Sequence, residues 1–76
     1  MELREIKGKE KVTSYEMRKH IRLMKCGDIT GIDPQAISLR QTQKALTSVR
    51  DEPRYKKRKY RLLILAIGKH LIVRVV

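Results

Sequence analysis

Apolar and polar positions follow two different rhythms along this chain. From Thr13 to about Gly27 they repeat at helical spacing, with Met17, His20, Ile21 and Met24 on one face and Arg18, Lys19, Arg22 and Lys25 on the other. The start of this first helix is marked by Thr13 as N-cap and Glu16 three residues on, a capping box. Val12 and Met17 stand in staple positions around it. Gly27 is a natural stop. A second helical stretch is expected from Asp33, as N-cap, and Pro34, at the first helical position, to about Val49. Its core side is Ala36, Leu39, Ala45, Leu46 and Val49, and its outer side is Arg40, Gln41, Lys44 and Ser48. Asp51-Glu52-Pro53 ends it.

The rhythm then changes. Leu62–Ile67 and Leu71–Val76 are runs of aliphatic and β-branched residues around Gly68-Lys69, which suits a two-residue hairpin turn with glycine first. Pairing Ile67 with His70 puts Leu62, Ile64, Ala66, Leu71, Val73 and Val75 on one face, toward the helices. The other face carries Leu63, Leu65, Ile67, Ile72 and Val76 among Arg61, His70 and Arg74. It is too apolar for a sheet face in water and predicts an interface at Leu63, Leu65, Ile67 and Ile72, most simply with a second copy of the chain. The first eleven residues fit either a short strand, using Leu3 and Ile6, or a loose basic arm. The expected fold is α+β: one domain over residues 1–76, with two short helices packed on a C-terminal antiparallel hairpin.

Charge adds the functional signal. The chain has 76 residues, 19 Lys and Arg against 8 Asp and Glu, and a formal net charge of +11. A field this positive draws polyanions, and counterion release from phosphate backbones supplies most non-specific nucleic-acid affinity. The densest run is Arg54-Tyr55-Lys56-Lys57-Arg58-Lys59-Tyr60-Arg61, six of whose eight residues are basic. The candidate nucleic-acid contacts are therefore Arg54, Lys56, Lys57, Arg58, Lys59 and Arg61 in this run. Arg18, Arg22 and Lys25 join them from the first helix, and Gln35, Ser38, Arg40 and Lys44 from the second. With three tyrosines and no Phe or Trp, a stacking platform for unpaired bases is thin, which favours duplex over single strands.

Catalysis has little to work with. Cys26, His20 and His70 do not show the paired spacing of a metal site, and no glycine-rich phosphate loop is present. No enzyme activity, metal or cofactor is expected. Cys26 is the only cysteine, reads as a small buried hydrophobe, and suits a reducing, intracellular setting. Met1–Lys11 is polar, unlike a secretory leader, and the apolar C-terminal stretch is broken by charge, which argues against a membrane span.

Gly27-Asp28-Ile29-Thr30-Gly31-Ile32-Asp33-Pro34-Gln35-Ala36-Ile37-Ser38 is similar to the heart of helix-turn-helix DNA-binding proteins, through Gly27, Gly31, Ile32 and Ile37. The resemblance implies a recognition helix whose Pro34, Gln35, Ser38 and Thr42 face the DNA, with the hairpin as a winged-helix-like wing. It points to a small dimeric regulator of transcription or replication on duplex DNA. The alternatives are an RNA-binding or ribosome-associated protein, and a protein-interaction or inhibitor module using the apolar hairpin face.

Overall fold

The computed structural model describes residues 3–65 and 68–76. Seven elements follow in order: strand β1 (Leu3–Ile6), helix α1 (Ser14–Leu23), strand β2 (Ile29–Ile32), helix α2 (Leu39–Asp51), a 3-10 turn (Pro53–Tyr55), and strands β3 (Tyr60–Ile64) and β4 (His70–Arg74). The fold is α+β, with a four-stranded mixed sheet in the order β1-β2-β4-β3 and an antiparallel C-terminal β3–β4 hairpin. β1 and β2 run parallel and are joined through α1, while β4 is antiparallel to both its neighbours. Of the two readings of the N-terminus, the strand is the one adopted.

α1 starts as its sequence dictates. The Thr13 hydroxyl accepts from the Glu16 amide at 3.2 Å, and Met17 and Ile21 are buried along one face. The helix stops at Leu23, earlier than Gly27. Asp28 draws the chain round by accepting from the Lys25 amide at 2.8 Å, and Gly27 takes the positive φ of 89° that the turn needs. This turn leads into β2, a strand that the sequence reading did not foresee.

α2 corrects the expected start. Asp33 spends its carboxylate on the amide of Gln35, at 2.9 Å, in a turn that runs through Ala36. Ile37 then dips into the core, and Ser38 caps the helix by accepting from the Gln41 amide at 3.2 Å. Two good capping residues lie five positions apart, and the one nearer the sheet is needed to turn the chain out of β2. The helix-turn-helix geometry is thereby replaced: the segment that resembles it holds a strand between its helices. Ala45, Leu46 and Val49 are buried as expected, joined by Thr42, while Arg40, Gln41, Lys44 and Ser48 are exposed.

The hairpin register is also corrected. Ile64 pairs with His70, so the connection spans five residues, 65–69, instead of two. Ala66 and Ile67 lie outside the described residues. A shift of three positions exchanges the faces of one strand relative to the other. Ile72, expected on the outer face, is therefore fully buried, as are His70 and the facing Thr30. The inner face carries Ile6, Thr30, Ile32, His70, Ile72, Leu62 and Tyr60 against Met17, Ile21, Ala45, Leu46 and Val49 of the helices. Cys26 is also corrected: it is exposed, with its Sγ 3.4 Å from the Val75 carbonyl.

Candidate nucleic-acid interface

Three adjoining depressions form one shallow channel over the surface of α2 and the start of β3. The first is lined by Arg40, Gln43, Lys44, Thr47, Ser48 and Asp51. It shares Thr47 and Asp51 with the second, which adds Arg50, Lys56, Arg58 and Lys59. The third shares Arg50, Arg58 and Lys59 and continues to Tyr60, Arg61, Val75 and Val76. Helical spacing explains the first part, since residues 40, 44, 47, 48 and 51 recur on one side of α2. The break at Pro53 and the turn through Tyr55 explain the second, because they fold the basic run back beside the last turn of α2. Asp51 is the one acid among the described residues lining the channel.

The remaining candidates of the sequence reading, together with Arg58 of the channel, divide into two groups. Arg22 and Arg58 are structural pins. Arg22 binds Glu52 through Nε, at 3.2 Å from Oε2, and through a second, very short bond from NH2 to Oε1. This two-pronged contact ties α1 to the end of α2. It holds the Glu52 carboxyl below its usual range and the guanidinium above its own, chiefly through the hydrogen bonds. Arg58 donates from NH1 to the Arg22 carbonyl at 2.9 Å and to the Tyr60 hydroxyl at 3.1 Å, and its guanidinium lies 4.4 Å from the centre of the Tyr55 ring. It lines the channel with its charge already engaged.

The second group lies outside the channel. Arg18 stands 5.9 Å from the Tyr15 ring, and Lys25 is exposed beyond the end of α1. Gln35 sits in the turn beside Gly8, Ser38 is occupied as the helix cap, and Arg54 and Lys57 are exposed in and after the 3-10 turn. The structure thus brings Arg40, Lys44, Lys56, Arg58, Lys59 and Arg61 together along one path and leaves the other seven candidates off it.

Sequence reasoning missed Gln43, Thr47 and Arg50. The first two were legible by carrying the helical spacing one turn further along α2. Arg50 was not, because the helix was expected to end at Val49. The three tyrosines are also sorted: Tyr60 is buried, with its hydroxyl 3.3 Å from the Ile21 carbonyl, Tyr55 is covered by Arg58, and Tyr15 is exposed. Among the described residues, no three His, Cys, Asp or Glu side chains are grouped to hold a metal ion, and no helix is long and apolar enough to cross a membrane.

No protein-family model, curated protein or solved structure matches the chain.

Proposed function

We propose that this chain binds nucleic acid, duplex DNA ahead of RNA, by laying the phosphate backbone along the channel of α2 and the 56–61 segment. The observation that carries the reading is the row Arg40, Lys44, Arg50, Lys56, Lys59 and Arg61 along that channel, opposed by Asp51 alone. None of these six side chains makes an ion pair or hydrogen bond among the described residues. They are available to replace counterions on phosphates, and Gln43, Thr47 and Ser48 stand among them as uncharged hydrogen-bonding partners. Burial of Tyr60 and coverage of Tyr55 remove two of the three rings that could stack on unpaired bases, which supports a duplex over a single strand.

The test is binding to labelled duplex DNA, duplex RNA and single-stranded DNA across a salt series. Six phosphate contacts on B-form DNA give a slope of log affinity against log salt of about −5, from roughly 0.9 per contact. Lys56→Ala with Lys59→Ala should flatten that slope by about 2 while weakening all sequences alike. A slope unchanged in the double variant would remove the channel from the interface. Tighter binding to duplex RNA than to DNA would keep the channel and transfer the reading to an RNA partner.

A further inference from the structure

The sheet has two faces, and the helices cover one. The outer face is built from two registered rows. Leu3, Ile29, Val73 and Arg61 lie side by side across the four strands, and Glu5, Gly31, Leu71 and Leu63 form the next row. Gly31 keeps this surface flat: a Cβ there would stand 3.4 Å from Cδ2 of Leu71 and 3.9 Å from Cγ of Glu5, so both side chains lie across the glycine. Leu3 is 66% exposed and Leu63 45%, and Leu65 extends the patch at 41%. This is an apolar surface left open on one side of a small domain.

The charge on this face differs from that of the molecule. Within its two strand rows it carries one acid, Glu5, on edge strand β1 and one cation, Arg61, on the opposite edge strand β3, while Lys7, Asp33 and Lys69 border the same hollow as Glu5, Gly31 and Leu71. The two rows are therefore neutral in a chain of net charge +11, and the residues bordering them add one net positive charge. The rows themselves offer a polyanion or an acidic protein no excess of positive charge. A copy of the same face gains both pairs, provided the two sheets are related in one way. A two-fold axis between the sheets and parallel to the strands places β1 of each copy over β3 of the other. Glu5 then lies one pleat step from Arg61 of the second copy. An axis across the strands would stack β1 on β1 and set Glu5 against Glu5.

We infer that the outer sheet face is a homodimer interface, with the two sheets face to face about an axis parallel to the strands and Glu5 of each copy paired with Arg61 of the other. This does not rest on the nucleic-acid reading, but Arg61 is common to both, so a dimer withdraws one of the six cations from the channel. Sheets pack about 10 Å apart, a gap that Glu and Arg side chains span, and the stem of Arg61 lies over Leu3 of the second copy. Four strands about 4.8 Å apart and four to five residues long give a footprint of roughly 300 Å². That is well below the ~800 Å² per partner of a standard interface, so the dimer is weak and strongly concentration-dependent. Repulsion between two +11 chains opposes it and is screened by salt. Raising the salt concentration should therefore strengthen the dimer, the opposite of its effect on nucleic-acid binding.

Sedimentation equilibrium of the full chain, free of nucleic acid and from the micromolar to the millimolar range, tests this. Leu71→Asp should abolish the dimer, with circular dichroism checking that the fold survives. Glu5→Arg and Arg61→Glu should each weaken it about tenfold, since a like-charge pair replaces an attractive one at two symmetric places. Glu5→Arg combined with Arg61→Glu should restore it. Within one chain these residues stand about 16 Å apart, three strand spacings across and one row along, so rescue reports on contact between copies. A chain that stays monomeric throughout, a dimer indifferent to Leu71→Asp, or a double reversal without rescue would each overturn the proposal.

Discussion

Lowering the pH below about 6.5 should destabilise this protein through one side chain, His70, before the carboxylates titrate. His70 is fully buried on β4, on the inner face of the sheet. Its Nε2 lies 3.1 Å from the hydroxyl oxygen of Thr42 on α2. That hydroxyl is also 3.0 Å from the Ser38 carbonyl, which takes its proton. The Thr42 oxygen therefore accepts from Nε2–H, and the lone pair stays on Nδ1, which has no hydrogen-bond partner. Charging the ring would place a cation in the buried core, beside its cross-strand neighbour Ile32. Desolvation accordingly pulls the pKa of His70 below its ordinary value of 6.5, against a smaller opposing pull from the Gly68 backbone. The sign follows from linkage. Between the unfolded and folded pKa values the unfolded chain binds the extra proton, so stability is full above about 6.5 and falls as the pH drops toward the folded value. Within that window one proton changes stability by up to about 1.4 kcal/mol per pH unit, a large fraction of the roughly 4–11 kcal/mol typical of a domain this size. Urea denaturation at closely spaced pH values from neutral down to about 5 reads the slope. His70→Leu keeps the shape near that of the imidazole, leaves Thr42 bonded to Ser38, and should remove the slope at little cost at neutral pH. Parallel stability curves for the two proteins would refute the assignment.

Two further predictions test the fold. Ser38→Ala should cost about 1 kcal/mol through loss of the α2 cap, whereas Asp33→Ala should leave the helix content unchanged because Asp33 serves the preceding turn; circular dichroism with urea titration separates them. Ile72→Ala, at the centre of the sheet and fully buried, should cost about 2–5 kcal/mol, which a thermal melt would read as a drop of many degrees in a chain this short. A loss below about 1 kcal/mol would return Ile72 to the outer face on which the sequence alone had placed it.

What the sequence disclosed was local, and what it hid needed a partner distant along the chain. The capping box at Thr13 and Glu16 and the apolar side of α2 are fixed within one or two helical turns, so their spacing is enough. β2 was hidden because four residues with a glycine among them, Ile29-Thr30-Gly31-Ile32, carry almost no strand signal until β1 and β4 flank them. The hairpin register was hidden for a related reason. Both faces of Leu62–Ile67 and Leu71–Val76 are apolar, so no alternation distinguishes one register from a shift of three. The turn at Gly68 then decided the reading, although Leu65 and Lys69 close a five-residue loop through a 2.7 Å hydrogen bond. Arg22 and Arg58 looked like free cations because Glu52 and the Arg22 carbonyl meet them only in the fold, across 30 and 36 positions.

The division of labour among the charges is itself an argument for function. Four of the eight acids hold the structure: Glu16 in the α1 cap, Asp28 and Asp33 in turns, and Glu52 on Arg22. Among the cations, Arg22, Arg58 and Arg74 do comparable work, with Arg74 donating to the Met24 carbonyl at 2.8 Å. The lysines do none: no lysine side chain makes an ion pair or hydrogen bond among the described residues. Folding has no use for their charge, and their mutual repulsion works against the compact state. A domain near the lower size limit for stability has little to spare for such repulsion. Six cations unpaired among the described residues line one channel against Asp51 alone, the local arrangement expected when charge serves a polyanion outside the chain, while other lysines stand elsewhere, Lys7 and Lys69 beside the outer sheet face.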